Sequence, residues 1–285
     1  MVHLINSSPS FYYIWVVIIF LFGLCIGSFI NVCICRMPKK ESVVTTPSHC
    51  PTCGENIKWY DNIPLLSWMI LRGKCRGCAA SISICYFYVE LLTALLFVIC
   101  FVTVVKNYYP ITILIPYFLV TFMFISVFFI DLKHRIIPNK ITYPVIVISL
   151  ISATLFPESV GRFTFIGGFL DSLCGGIVAG GIFFAVSYIG EHAAKRPVLG
   201  VGDIKFIAAV GTCFGLFPAV WFFTILFGSL FGIIVGIMLI IINKGSLKTA
   251  VPFGPMLAVG GYVWIILGPF IIIWYMNVLG KLFFY

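Results

Sequence analysis

Two aspartates stand at the ends of strongly apolar segments, where an ionised side chain is costly. Asp203 closes the string Gly200-Val201-Gly202-Asp203, and Asp131 directly follows the apolar run 111–130. Carboxyl groups at a hydrocarbon boundary are functional-site candidates by default. Two carboxyls held close together cannot both ionise readily, so one keeps a proton while the other acts as a base. Such a pair can hydrolyse a peptide bond, because the base activates water and the acid protonates the scissile amide.

Each aspartate also has an ordinary interpretation. Asp203 could be the N-cap of a helix, where its carboxylate would bind unpaired backbone amides. Asp131 could pair with Lys133 or Arg135 at the membrane interface. A Gly-x-Gly-Asp string alone is a weak motif, although its two glycines would let a peptide backbone approach Asp203 without meeting a Cβ atom. Both interpretations stay open from the residues alone.

Composition identifies the class of protein that must position these acids. The chain has 285 residues, of which 61% are hydrophobic and only 9% are charged. A mean hydropathy of +1.14 excludes an ordinary soluble domain. The sequence predicts an all-α polytopic membrane protein with about eight transmembrane helices. The apolar segments are 11–33, 86–105, 111–130, 141–156, 166–189, 204–217, 219–242 and 253–278.

The distribution of basic residues predicts how these segments are oriented. If all eight cross and the first runs outside to inside, 15 of the 18 Lys and Arg residues fall inside, leaving Lys106, Arg162 and Lys281 outside. Cytoplasmic loops carry such an excess of positive charge. The sixth segment, at 14 residues, could be re-entrant, but the lysines of loop 243–248 would then fall outside. The count therefore favours both termini outside and places both aspartates on the cytoplasmic face.

The ends and the charge of the chain fit the same topology. Residues 1–10 have no basic n-region and no small-residue cleavage site follows, so segment 11–33 is predicted to be a retained helix. The net charge of +9 follows from the topological bias and suits anionic lipid headgroups. With no basic patch interleaved with exposed aromatics on a soluble domain, a nucleic-acid partner is not expected.

One inner loop, 36–85, is large enough to fold by itself, and it carries two Cys-x-x-Cys motifs. These are Cys50-Pro-Thr-Cys53 and Cys75-Arg-Gly-Cys78, a spacing that matches a four-thiolate structural zinc site. Gly54 and Gly77 stand where the knuckle turns need backbone freedom. Free thiols or a redox pair are the alternatives, and disulfides are disfavoured in a reducing cytosol. The remaining seven cysteines are interpreted as small hydrophobic residues.

Four further polar residues stand in or beside the apolar segments. Glu90 lies one turn into the second segment, where a carboxylate must find a partner, either within the loop or the site or as an ion pair. Asp171, near the outer end of the fifth segment, is predicted to be a structural acid at a helix start. Asn31 and Arg36 flank the inner end of the first segment, where Arg36 could extend to lipid phosphates.

Several motifs together resemble those of the type IV prepilin peptidases, the bifunctional leader peptidase/N-methyltransferases with Gly-x-Gly-Asp aspartic peptidase chemistry. They cover the chain almost from end to end, and the string from Trp59 to Trp68 and the paired knuckles are the most specific of them. The matching stretches are Gly27–Val32, Arg36–Pro38, Cys50–Cys53, Trp59–Trp68, Cys75–Cys78, Val89–Thr93, Asp131–Asn139, Gly200–Lys205 and Pro252–Pro255.

The resemblance implies a function and a division of labour. It implies that Asp131 and Asp203 are the catalytic aspartates, that the substrates are prepilins or pseudopilins in the bacterial inner membrane, and that cleavage follows a glycine. It also implies methylation of the new N-terminus from S-adenosylmethionine, an activity tied to the cysteine loop. The cofactor site is not identified, and Asn31, Arg36 and Glu90 are the candidate supporting residues. Residues 81–88 depart from the family's usual approach to Glu90.

The predicted organisation is a first transmembrane helix (1–35), a zinc-ribbon-like loop domain with the four cysteines (36–85) and a transmembrane aspartic peptidase domain (86–285). A membrane thiol-redox protein or a small transporter using the Cys-x-x-Cys pairs is the alternative. It would place the cysteines toward the oxidising side, or would show repeat symmetry with broken helices. A non-catalytic platform protein would survive only if both aspartates were dispensable.

Overall fold

The computed structural model describes residue 5 and residues 8–195, 199–216, 219–243 and 252–283. Within these ranges the chain is helical and contains no strand, and eight helices have 14 residues or more. Shorter helical turns occupy Trp59–Asn62, Leu66–Ile70, Ile111–Ile113 and Pro157–Val160. The long helices are α1 (Pro9–Arg36), α2 (Cys85–Lys106), α3 (Leu114–His134), α4 (Asn139–Leu155), α5 (Phe165–Ala194), α6 (Val201–Phe214), α7 (Ala219–Asn243) and α8 (Phe253–Phe283).

Each predicted apolar segment overlaps one of these helices, which confirms the all-α polytopic fold. Helices α1, α2, α3, α5 and α7 are long and apolar enough to cross a membrane, whereas α4 and the apolar part of α8 are shorter. Two boundaries differ in a way that matters for the site. Helix α3 continues through Asp131 to His134, and α6 already begins at Val201. Arg196, Phe217, Lys244 and Lys248, which entered the predictions, lie outside the described residues.

The chain divides into two compact units. The first unit, His3–Val102, holds α1, the cysteine loop and most of α2. In it α1 and α2 pack with very little space between them, because a Cβ atom at Gly23 would stand 2.6 Å from the Cα atom of Ala94. A Cβ atom at Gly27 would stand 2.7 Å from the Cα atom of Glu90. Small residues permit this approach where no hydrophobic force drives helices together in lipid.

The second unit, Thr103–Tyr285, holds α3 to α8. Helices α5 and α6 pack through glycines, since a methyl group at Gly211 would clash with the carbonyl oxygen of Gly175. Helices α7 and α8 pack in the same way through Gly228 and Gly260. Helix α6 is therefore held tightly although its 14 residues, about 21 Å long, cannot span the hydrocarbon core alone.

The end of α6 opposite Asp203 is held by Asp171, which is buried in α5. Arg162 Nη2 lies 2.6 Å from Asp171 Oδ1, and the Leu216 amide donates to Asp171 Oδ2 at 3.2 Å. The predicted structural role fits these contacts. The predicted helix-start position does not, because α5 begins at Phe165 and is capped by Thr164. Asp171 instead accepts a hydrogen bond from the backbone directly after α6.

Replacing Gly211 by alanine should destabilise the second unit, because the added methyl group meets backbone atoms that have no room to move. Overpacking of this kind costs about 1–3 kcal/mol. Gly181→Ala is the matched control, since no heavy atom lies within 4 Å of a Cβ atom there. We expect a lower midpoint of thermal unfolding in detergent for Gly211→Ala only. Equal midpoints for the two variants would contradict the tight α5–α6 packing.

Candidate active site and metal centre

Asp203 lies in the first turn of α6, at the third helical position. Gly200 is the N-cap, and its amide donates to Asp203 Oδ2 at 3.2 Å. The alternative that Asp203 is itself the N-cap is therefore wrong, although its carboxylate does contribute to capping from the third position, as in a capping box. One oxygen of the carboxylate is held in place, and the side chain is only 9% exposed.

Asp131 lies in the last turn of α3, which ends at Arg135 in the left-handed conformation (φ 54°). Its Oδ2 accepts a hydrogen bond of 3.1 Å from the amide of Gly254, in the first turn of α8. A Cβ atom at Gly254 would stand 2.8 Å from that oxygen, so only glycine fits without a shift. The ion pairs within the described residues are Arg76–Asp61 and Arg162–Asp171. No ion pair therefore joins Asp131 to Lys133 or Arg135, although Arg135 is close enough to interact electrostatically with Asp131.

The structure brings the two carboxyl groups into one cleft of about 690 Å³. The sequence predicted that both acids lie at the same membrane face, and the structure brings the last turn of α3 and the first turn of α6 together at this cleft. Both predicted glycines, Gly200 and Gly202, also line the cleft. Gly202 has a further role, since a Cβ atom there would stand 3.0 Å from that of Ile137. The lining residues are Asp131, Arg135, Ile136, Ile137, Leu199, Gly200, Gly202, Asp203, Pro252 and Phe253.

A buried aromatic pair aligns the two helices that carry the acids. Phe124 of α3 stacks on Phe206 of α6, with ring centroids 5.2 Å apart and an interplanar angle of 21°. Phe124 precedes Asp131 by seven residues and Phe206 follows Asp203 by three, so each ring lies on its acid's helix face. Gly261 of α8 leaves room for the ring of Phe124. Packing of these rings therefore sets the relative height of the two carboxyl groups.

Sequence reasoning missed three of the supporting residues. The aromatic pair could have been found from its helical spacing to the aspartates. Lys205 donates to Asn139 Oδ1 at 3.0 Å and lies 5.2 Å from the ring centroid of Tyr143, so it ties the start of α6 to the start of α4. No local signal in the sequence could have paired Lys205 with residues so distant along the chain.

The four predicted cysteine ligands form a cluster in the first unit. The sulfur atoms of Cys50, Cys53, Cys75 and Cys78 all lie within 4.8 Å of one another. Those of Cys50 and Cys78 are 3.8 Å apart. A tetrahedral zinc ion with zinc–sulfur bonds of about 2.3 Å requires sulfur–sulfur distances of about 3.8 Å. The cluster therefore fits a structural zinc ion and leaves no open coordination position.

The two knuckles are built alike. The Cys50 amide donates to Glu55 O at 2.9 Å, and the Cys75 amide donates to Ala80 O at 2.8 Å. Gly54 has the positive φ that was predicted, +73°. The prediction for Gly77 was wrong, because the equivalent left-handed position falls on Ala79 (φ 56°). Gly77 instead makes space for the carboxylate of Glu55.

Clustered sulfurs affect one another's ionisation. Backbone amides of Cys53 and Thr52 lower the pKa of the Cys50 thiol to about 6. The backbone amide of Ala80 lowers the pKa of the Cys78 thiol, but burial and the neighbouring cysteines outweigh this effect and raise the pKa to about 12. Four such sulfurs cannot all be thiolates unless a cation neutralises them. Arg76 holds the pKa of Asp61 below its usual range through a bidentate contact beside the second knuckle.

The three candidate cofactor-supporting residues each donate a hydrogen bond to protein backbone or accept one from it. Arg36 is buried and donates to Thr46 O at 2.6 Å and Pro47 O at 2.9 Å, so the interpretation that it extends to lipid phosphates is wrong. Asn31 donates to Tyr86 O at 3.0 Å. Glu90 accepts from the Leu65 amide at 2.8 Å, not from a cation. These contacts tie the loop to α1 and α2.

Removing one sulfur should release the metal. We expect the unaltered chain to bind one zinc ion and Cys75→Ser to bind none, because a hydroxyl replaces a thiolate in a closed site. Cys25→Ser is the control, since Cys25 is exposed on α1 outside the cluster. Elemental analysis of purified protein measures the metal directly. Retention of zinc by Cys75→Ser, or absence of zinc from the unaltered chain, would contradict the assignment.

Known proteins resemble the chain over most of its length. Residues 21–104 match the family described as the Bacterial Peptidase A24 N-terminal domain, and residues 117–237 match the Type IV leader peptidase family. No solved structure is significantly similar.

Relatives from several bacteria carry the name prepilin leader peptidase/N-methyltransferase. The protein of Myxococcus xanthus is 37% identical over 237 residues, which cover 83% of this chain and 67% of that protein. The protein of Aeromonas salmonicida is 31% identical over 91% of this chain and 93% of its own length. That of Vibrio cholerae is 33% identical over 72% of this chain and 79% of its own. The chain belongs to the type IV leader peptidase family.

Proposed function

We propose that this protein is a membrane aspartic endopeptidase that cleaves the basic leader from type IV prepilins or pseudopilins. The observation that carries the proposal is the shared cleft of Asp131 and Asp203, in which each carboxylate has one oxygen fixed by a backbone amide. Fixed carboxylates at one site supply an acid and a base without reorganisation when the substrate arrives. The family membership and the names of the relatives support the same reaction.

Hydrolysis follows from the two acids in a balanced sequence. The ionised carboxylate takes a proton from water, whose oxygen attacks the scissile carbonyl carbon, while the protonated carboxyl donates its proton to the carbonyl oxygen. The tetrahedral intermediate then collapses. The carbon–nitrogen bond breaks as the amine takes the proton that the first carboxyl group took from water, and a hydroxyl group of the intermediate returns its proton to the second carboxylate. The dyad thereby regains its starting state, with one proton between the two groups.

The lining of the cleft suits a substrate that is half apolar. Ile136, Ile137 and Phe253 line the cleft beside the acids, and Gly200 and Gly202 leave room for an extended peptide backbone. A basic leader gains nothing from the arginine in the lining or from a basic loop, so the apolar helix that follows the leader must dominate binding. Lateral entry of that helix from the bilayer would deliver the junction to the two aspartates.

The names of the relatives also support N-methylation of the new N-terminal residue, with S-adenosylmethionine as the methyl donor. The four cysteines would hold a structural zinc ion that maintains the fold of the loop. Within the described residues Asn31, Arg36 and Glu90 position that loop, and no methyl-transfer step is assigned to them. The three-part division at 1–35, 36–85 and 86–285 belongs to this proposal.

The proposed location is the bacterial inner membrane, with both termini outside and the dyad on the cytoplasmic face. The excess of Lys and Arg in the inner loops supports this orientation. A thiol-redox protein or a transporter is not favoured, because the relatives are named as peptidases and the four cysteines fit a closed metal site.

Asp131→Asn and Asp203→Asn should each abolish cleavage, since an amide can neither accept the proton from water nor return one to the substrate. The expected loss is on the order of 10³-fold or more. The measurement is the mass of a prepilin after incubation with purified protein and S-adenosylmethionine. Glu41→Gln, which removes an exposed acid outside the cleft, is the control. Normal cleavage by either aspartate variant would exclude the dyad.

Loss of zinc should affect the two activities unequally. Cys75→Ser is expected to cleave prepilin but to leave the product lighter by one methyl group, because the loosened loop lies in a different compact unit from the dyad. The same mass measurement separates the outcomes, with Cys25→Ser as the control. A Cys75→Ser product that is fully methylated would remove the loop from the methylation step.

A further inference from the structure

The short helix Leu66–Ile70 in the cysteine loop has an apolar outer face. Leu66, Met69 and Ile70 are spaced as one face of a helix and are 52%, 49% and 73% exposed. The opposite side is anchored, because Ser67 Oγ donates to Tyr60 O at 3.0 Å and the ring of Trp68 packs against that of Phe87. The apolar side chains therefore project outward from a helix whose other side is held.

A strained turn before this short helix sets its direction. Leu65 has φ 59° and ψ −50°, and the Leu66 amide donates to Pro64 O at 2.7 Å across it, which forms a γ-turn. This conformation is unfavourable for a residue other than glycine and persists only where its surroundings enforce it. The enforcing contact is buried Glu90, whose Oε2 accepts from the Leu65 amide. The position of the short helix is thus set by a residue of α2.

The contacts with α2 place the short helix at the depth of the membrane boundary. Helix α2 has 22 residues, about 33 Å, against a hydrocarbon thickness of about 30 Å, so its start at Cys85 lies close to that boundary. Glu90 lies five residues further in, about 7.5 Å along the helix axis. Because Leu65 contacts Glu90 and Trp68 contacts Phe87, the short helix lies beside the first turns of α2, not beyond them.

The segments that flank this helix in the sequence carry the charges and rings of a membrane-surface segment. Trp59 is 80% exposed, and Trp is enriched where hydrocarbon meets water. Lys58 precedes the helix in the sequence, Arg72 and Lys74 follow it, and all three are exposed, whereas Arg76 is neutralised by an aspartate. Exposed basic residues beside an apolar face are attracted to anionic headgroups.

We propose that Leu66, Met69, Ile70 and Trp59 form a lipid-docking face that inserts into the headgroup–acyl boundary beside α2, with Lys58, Arg72 and Lys74 on anionic phospholipid headgroups. The loop then contacts the bilayer through its own surface, in addition to its attachment to α1 and α2. This docking requires neither peptidase nor methyltransferase activity, and it keeps the zinc knuckles at the membrane surface.

Site-specific photocrosslinking tests the occupant of the face. Ile70→p-benzoylphenylalanine and Leu66→p-benzoylphenylalanine would be irradiated in the full chain, reconstituted in nanodiscs of phosphatidylglycerol and phosphatidylethanolamine. We expect adducts with phospholipid, identified by mass, at a yield several-fold above that of Thr52→p-benzoylphenylalanine. Thr52 is exposed on the first knuckle and serves as the control. Zinc content shows that each variant is folded.

Other adducts would overturn the proposal. Crosslinks from position 70 to another segment of the chain or to a second copy would assign the face to protein contacts, and a lipid yield equal to that at Thr52 would exclude docking. Transfer of the crosslink to prepilin, when prepilin is added, would make the face a substrate surface. Arg72→Gln combined with Lys74→Gln should lower the lipid yield several-fold in anionic nanodiscs and leave it unchanged in zwitterionic ones.

Discussion

The structure depends on hydrogen bonds between buried carboxylates and backbone amides that have no hydrogen-bond partner within a helix. In hydrocarbon an unpaired amide or carboxylate is costly, and the first amides of every helix lack an intrahelical partner. The buried acids of the described residues are Glu90, Asp131, Asp171 and Asp203. Each accepts a hydrogen bond from a backbone amide, those of Leu65, Gly254, Leu216 and Gly200 respectively. Each acid therefore fixes a turn or a helix end.

This constraint explains why the catalytic and structural acids look alike. Asp203 lies in the first turn of α6, and Asp171 of α5 lies beside the residues that follow the last turn of α6. Each carboxylate accepts a hydrogen bond from a backbone amide next to that end of the helix. The difference lies in the surroundings. Asp171 forms an ion pair with Arg162. Asp203 takes part in neither ion pair of the described residues and shares its cleft with a second carboxyl group. Proximity to another acid, not burial alone, creates the capacity for acid–base chemistry.

The close packing of the glycine-rich helices helps to hold the two aspartates of the cleft in position. Helix α6 is too short to be held by the bilayer, so it depends on its neighbours, above all on α5 across Gly175 and Gly211. Because the stacked rings of Phe124 and Phe206 connect α6 to α3, a shift of α6 would move Asp203 relative to its partner acid. A small displacement of this kind is enough to reduce catalysis severely.

The amino-acid sequence by itself determined what depends on local composition. Apolar length predicted the eight long helices of the described residues, and the spacing within each knuckle predicted the cysteine cluster. Only the tertiary structure decided what these residues contact. The amide that holds Asp131 belongs to Gly254, 123 residues away, and the roles of Gly77 and Arg36 were misread because each depends on a neighbour that folding supplies. Hydrophobic length is a property of a segment, whereas the partner of a buried polar group is a property of the packing between segments.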